Sequence, residues 1–271
     1  MATQTATFPR TGSTFGLLPT LSLWRREVVR FYRNIPRVVG ILASPLLFWI
    51  VLGSGFGTSF RNNGAEQHYL NFFFPGSLTM IVLFTAIFAM MSLIEDRNEG
   101  FLLSVLVAPV SRSVIVMSKI LGGTTLAMLQ GALFLVAAPL LGIHFTATSF
   151  LLILLDIFLV SFSLTALGFI IAWPMDSTQG FHAIINLFLI PLWLLSGSLF
   201  PLSGASLWIR ILMRINPLTY GNEALRALMF PGTASPEFPV SLDLAVLAIF
   251  TVVMFTGAFV IANRRTSKPA A

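Results

Sequence analysis

Residues 120–155 read ILGGTTLAMLQGALFLVAAPLLGIHFTATSFLLILL, with no charged side chain between Lys119 and Asp156. A helix crosses the ~30 Å hydrocarbon core of a bilayer in about 20 apolar residues, at ~1.5 Å each. The run is too long for one crossing and holds the greater part of two. Five other long charge-free runs follow the same rule: residues 38–60, 67–94, 157–175, 177–209 and 244–263. Together they predict six spans, near 38–56, 71–94, 118–142, 149–172, 182–200 and 242–262. In lipid each segment must satisfy its own backbone hydrogen bonds, so these unbroken runs are helices. A membrane β-barrel would show alternating strands of about 10 residues instead.

Composition excludes the alternatives. Of 271 residues, 10% are charged and 56% hydrophobic, with 26 Phe and a mean hydropathy of +0.89. A soluble domain carries roughly 25% charged residues, and one of this size could not hide so much apolar surface. Disorder fails for the same reason. The chain has no Cys, which removes disulfides, thiolate chemistry and Cys-ligated metal. The fold class is an all-α membrane protein.

Lys and Arg placement sets the expected orientation. Arg10, Arg25, Arg26, Arg30, Arg33, Arg37, Arg97, Arg112, Lys119, Arg264, Arg265 and Lys268 fall on one side of six spans. Only Arg61, Arg210, Arg214 and Arg226 fall on the other. The richer side is cytoplasmic, with both termini there, in a plasma (inner) membrane. The net charge of +6 is thus a topology and lipid-headgroup signal, and nucleic acid is not an expected partner. No cleavable signal peptide precedes the first span. Residues 1–17 and 264–271 read as cytoplasmic tails around one transmembrane domain, 18–263. No internal repeat interrupts it.

Three segments between the spans carry further signals. Residues 18–35 form an amphipathic helix: Leu21, Trp24, Val28, Phe31 and Ile35 share one face, and Arg26, Arg30, Arg33 and Arg37 another. Pro36 is expected to close it. Such a helix lies in the membrane interface with its arginines toward headgroups. After the second span, Glu95-Asp96-Arg97-Asn98-Glu99-Gly100 leads into Phe101-Leu102-Leu103-Ser104-Val105-Leu106-Val107-Ala108, which Pro109 stops before Arg112. That apolar helix is too short to span and needs cover, from this chain or from a partner. Residues 201–212 and 217–230 read as two short amphipathic helices broken at Asn216-Pro217, lying in the interface or dipping into it.

In this order, these passages resemble the type-2 ABC exporter permeases. The charged cluster, apolar helix and Ala108-Pro109 pair match one family element. Asn216-Pro217-Leu218-Thr219-Tyr220 with Ala224-Leu225-Arg226 matches another, and Tyr69-Leu70-Asn71-Phe72-Phe73-Phe74-Pro75-Gly76 is similar to the drug- and nodulation-factor-export branch. The resemblance implies a membrane subunit that pairs with a second permease chain, a homodimer being expected, above two cytoplasmic ATPase subunits. Glu95, Asp96, Arg97, Glu99, Gly100, Pro109 and Arg112 would then frame a coupling helix. Phe101, Leu102, Val105 and Leu106 would fill a groove on the ATPase. Residues 18–35, with Trp24, Arg26, Arg30, Phe31 and Arg33, would be the elbow helix. Asn216, Pro217, Tyr220, Glu223 and Arg226 would belong to the external re-entrant element. No Gly-x-x-x-x-Gly-Lys-Ser/Thr occurs in the chain, so ATP and Mg²⁺ are expected on the partner, and no cofactor in this chain.

Within the spans, Asp156 is the acidic residue that stands out. An intramembrane carboxyl marks a substrate or proton path, with Gln130 a second path candidate, or is satisfied by a neighbouring Ser, Thr or Gln, Gln130 being one option. Pro45, Pro139 and Pro191 are expected to kink their spans. His68, His144 and His182 are scattered and do not suggest a metal site. A polytopic lipid-modifying enzyme would need a clustered acid/base set, and a channel a ring of polar pore residues. The one dense cluster, Glu95–Glu99, has no His, and Asp156 alone is thin support for a pore, so a lipid-acting enzyme and a channel stand as the alternatives. The nearly charge-free interior suits a hydrophobic or amphiphilic cargo such as a drug, lipid or lipid-linked glycan.

Overall fold

A computed structural model describes residues 16–60, 69–108, 110–232 and 237–264. Pro109, Arg61 and the outer parts of both expected tails lie outside these residues. Every regular element among the described residues is helical. They are α1 (Leu17–Arg33), α2 (Ile35–Phe60), α3 (Tyr69–Ala89), α4 (Met91–Asn98), α5 (Phe101–Val107), α6 (Arg112–Leu135), α7 (Ala147–Ala172), α8 (Thr178–Trp193), α9 (Leu207–Ile215), α10 (Pro217–Met229) and α11 (Val240–Asn263). Among the described residues six stretches are long and apolar enough to cross a membrane: Val38–Gly55, Tyr69–Asn98, Arg112–Leu141, Ala147–Ala172, Thr178–Ser198 and Val240–Asn263.

Local chemistry moves several boundaries from their expected places. The helix α1 ends at Arg33, and Pro36 sits in the first turn of α2 rather than closing α1. Proline is tolerated there because its missing N–H would be unpaired anyway. The second span continues through α4 to Asn98, so Glu95, Asp96 and Arg97 ride on its last turn. The third starts at Arg112. It stops at Leu135, and Pro139 lies in the tight turn Ala138–Leu141 instead of kinking a longer helix. Thr146 caps α7 by accepting from the Ser149 N–H at 3.1 Å, and Ser177 caps α8 by accepting from the Gly180 N–H at 3.2 Å. Past Trp193, α8 widens into a π turn, Leu194–Ser198.

The helix α3 is the central post. It packs on α2, α6, α7, α8 and α10, and 83% of the apolar window in Tyr69–Asn98 is buried, against 17% in α11. Peripheral apolar surface on α11 is free to face lipid or another chain. The bundle has two unlike ends: α1, α4 and α5 gather at one, and α9 and α10 at the other.

Candidate functional site

At the α5 end, a buried ion cluster joins three elements. Lys119 of α6 donates to the Glu27 carboxylate of α1 at 2.7 Å, to Ser92 Oγ at 3.1 Å, and to Asp96 Oδ2. Ser92 Oγ donates to the other Glu27 oxygen at 2.7 Å. From α1, Arg26 reaches Asp96 Oδ1 at 2.8 Å and Arg30 reaches it at 2.6 Å. Arg30 also pairs with Glu95 at 3.2 Å and Glu99 at 3.0 Å. Asp96, Lys119 and Glu27 are all buried. Arg26 and Arg30 therefore face this chain's own carboxylates, a correction to the expected headgroup-facing stripe; Arg33 is exposed. Trp24 donates to Thr125 Oγ1 at 3.0 Å and Phe31 is buried, so the apolar face of α1 docks on the bundle.

This cluster holds α5 in place. Gly100, at the junction, has φ +76°, a left-handed conformation that glycine adopts without strain. The turn brings Phe101 under Arg26, whose guanidinium carbon lies 3.6 Å from the ring centroid. Leu102 is only 5% exposed and packs into the chain's own core. The expected outward face of Phe101, Leu102, Val105 and Leu106 thus needs revision. Leu103, Leu106 and Val107 are the exposed apolar residues, at 65, 38 and 83%, while Val105 is half-buried against the core.

Two arginines tie the end of the bundle together. Arg97 donates to the Met175 carbonyl at 2.5 Å, to the Trp173 carbonyl, and to Asp176 at 3.2 Å. It thereby fixes α4 to the turn between α7 and α8. A shallow hollow of about 390 Å³ opens beside it, lined by Leu102, Leu103, Leu106, Trp173 and Pro174. Arg112 donates to the Ala262 carbonyl at 2.9 Å, joining the start of α6 to the end of α11. Glu27, Ser92, Trp173 and Asp176 belong to this assembly without having stood out in the sequence.

At the opposite end, α10 is buried within the bundle. Asn216 caps it by accepting from the Leu218 N–H at 3.0 Å and donates to the Leu192 carbonyl at 2.6 Å. Thr219, Asn222 and Arg226 donate to the carbonyls of Leu195, Ser196 and Gly197 in the π turn. Those carbonyls lack helical partners, which is why polar groups face inward here. Arg226 also pairs with Glu223 at 2.6 Å and lies over Phe72. Tyr220 is turned outward and donates to the Arg214 carbonyl at 2.8 Å. The amphipathic reading does hold for α9, whose Leu207, Trp208, Ile211 and Ile215 are exposed.

Asp156 is fully buried, yet neither oxygen has a hydrogen-bond partner among the described residues. Gln130 does not satisfy it: its Oε1 accepts from Thr85 at 2.5 Å and its Nε2 is unpartnered. A separate cavity of about 490 Å³ opens between α2, α3 and α8, lined by Pro45, Phe48, Leu52, Phe84, Phe88 and Trp193 among others, and among the described residues no charged side chain lines it.

A family model described as ABC-2 type transporter matches residues 20–230. The chain belongs to this family. Among its relatives, a ycf38 transport permease of Cyanophora paradoxa is 32% identical over 199 residues, spanning 72% of this chain and 68% of the relative. Nodulation protein J of Neorhizobium galegae is 25% identical over 259 residues, 93% and 96% of the two chains. Nodulation protein J of Rhizobium meliloti (strain 1021) is 26% identical over 251 residues, 90% and 93% of the two. As an ABC-2 permease the chain is a membrane-embedded transport subunit, and the family implies a cytoplasmic ABC ATPase as its partner.

Proposed function

We propose that this permease is the membrane half of an ATP-driven exporter for a hydrophobic or amphiphilic cargo. Two copies pair, two ATPase subunits dock beneath them, both termini are cytoplasmic, and the assembly sits in the plasma membrane. Residues 18–263 act as one transmembrane domain. The α5 end is the cytoplasmic end, consistent with the Lys and Arg excess there.

The observation that carries this reading is the contrast within α5. Its inner side is fixed by Leu102 and by the ion cluster, and its outer side presents Leu103, Leu106 and Val107 to water or to a partner. Burying one such side chain contributes roughly 1.5–3 kcal/mol, so a partner groove gains much from covering three. A rigid mount also suits force transmission, because movement of the docked ATPase would pass through Asp96 and Lys119 into α3 and α6. The charge-free cavity between α2, α3 and α8 supports an apolar cargo moiety.

Co-purification tests the docking claim. Leu106→Asp should reach the membrane at normal level and fail to retain the partner ATPase. Normal retention and normal cargo-stimulated ATP hydrolysis by a well-expressed Leu106→Asp chain would refute it.

A further inference from the structure

A second buried carboxyl, Asp243, stands one helical turn before Leu247, which meets Gly221 alongside Asp156. Asp243, in the first turn of α11, is also fully buried, and none of the four oxygens of the two residues has a hydrogen-bond partner among the described residues. The two carboxyls lie within electrostatic reach of each other, and Glu223 of α10 within reach of Asp243. The packing that brings them together is close. Gly221 of α10 has no side chain, and a Cβ there would stand 2.9 Å from Val160, 3.6 Å from Leu247 and 3.7 Å from Asp156 Oδ1. Bare α10 backbone therefore lies over Asp156. Leu247 follows Asp243 by one helical turn, and Thr251, one turn further, donates to the Leu159 carbonyl at 3.2 Å. A single face of α11 is thus applied to α7 at this level.

Among the described residues no cation is paired with Asp156 or Asp243. Arg226 commits its terminal nitrogens to Glu223 and the Gly197 carbonyl. Asp156 is the one charged residue of α7, and α3 has none. Past Lys119, α6 carries no charged residue, only polar ones such as Thr124, Thr125 and Gln130. Lys119 and Arg112 are at the other end, engaged with Glu27, Asp96 and Ala262. At the rim, Arg214 is paired with Glu237 at 2.7 Å. Among the described residues no three His, Cys, Asp or Glu side chains gather as a metal site. An ionised carboxyl buried without a partner is far more costly than its neutral form. Protonation removes the charge and supplies the donor that four acceptor oxygens lack.

We propose that Asp156 and Asp243 are a proton-binding pair, reached past Glu223 from water at the α9–α10 end, whose protonation sets how tightly α7, α10 and α11 close. Glu223, outside the spans, fits the role of entry group: burial pushes its carboxyl above the usual range, Arg226 pulls it back, and Glu237 adds to the rise. Loss of the protons leaves like charges buried on α7 and α11, one of them beneath Gly221 of α10, and pushes the three helices apart. The permease then carries an acidity-sensitive element at the end opposite the docking helix. Its site is independent of the docking reading.

The test uses the full-length chain in lipid nanodiscs, with the proton as ligand. Infrared spectra of the wild type should show a carboxylic-acid C=O band that disappears as pH rises and is missing from Asp156→Asn. Glu223→Gln should slow its response to a pH jump. The sign for stability follows: a proton held by the folded state and released on unfolding stabilises at low pH, and that gain is lost as pH rises through the folded-state titration. The unfolding temperature of the wild type should therefore fall toward alkaline pH, while that of the Asp156→Asn/Asp243→Asn chain stays level. If the double variant does not fold, the wild-type band decides alone. No carboxylic-acid band sensitive to pH, or parallel stability profiles, would overturn the proposal. So would stabilisation of the wild type by Na⁺ or Ca²⁺ at fixed pH, which would assign the pair to a metal ion.

Discussion

The two ends of the bundle bury the same kinds of side chain in opposite ways. At the α5 end, Asp96 accepts from Arg26, Arg30 and Lys119, and Glu27 accepts from Lys119 and Ser92. At the α9–α10 end, Asp156 and Asp243 accept from nothing described, and the nearby Arg226 is engaged with Glu223. Alternating signs make the first cluster a brace of mutually satisfied ion pairs. Uniform sign makes the second a group that responds to protons. The difference suits the two ends to different tasks, one transmitting force from a partner and the other adjusting how the helices close.

Substitutions can break or sharpen that contrast. The largest effect should come from Lys119→Met, which leaves Asp96 and Glu27 buried with less compensation. Removing one partner of a buried pair costs about 3–5 kcal/mol, read as a collapse of membrane level and unfolding temperature. Leu102→Ala should follow, at about 2–3 kcal/mol for an emptied core position. Arg30→Met removes one of three cations from the buried Asp96, which keeps Arg26 and Lys119, and otherwise frees the accessible Glu95 and Glu99; a smaller loss, about 1–2 kcal/mol, is expected. Asp156→Asn should leave membrane level intact and stabilise the chain at alkaline pH. Losses of equal size from Lys119→Met and Asp156→Asn would erase the distinction between the two ends.

The sequence carried the spans well, because hydrocarbon forbids charge and the gaps between charges mark the crossings. It carried side-chain partners poorly. An Arg-rich helix face reads the same whether it meets phosphates or carboxylates. Glu27, a lone acid among the arginines of α1, was the signal for the latter. The outward face of α5 was misassigned by one step because Gly100 resets the helix direction: Leu102 turned inward and Val107 outward. Asp243 was overlooked because it stands three residues into its span, where a charge reads as a boundary. Its burial comes from α10, a helix whose polarity suggested the interface. Asn222, Glu223 and Arg226 face inward because the π turn after α8 exposes carbonyls, which no periodicity announces.

The central claim is that α5 is held by its own chain and covered by another. The chain has no cysteine, so single substitutions report accessibility without background. Thiol labelling of Val107→Cys, with Leu102→Cys as the buried reference, tests the claim directly in membranes prepared with and without the ATPase. Val107→Cys should label readily in the permease alone and be protected when the ATPase is bound, while Leu102→Cys stays unreactive in both. Equal labelling of Val107→Cys with and without a bound ATPase would contradict it.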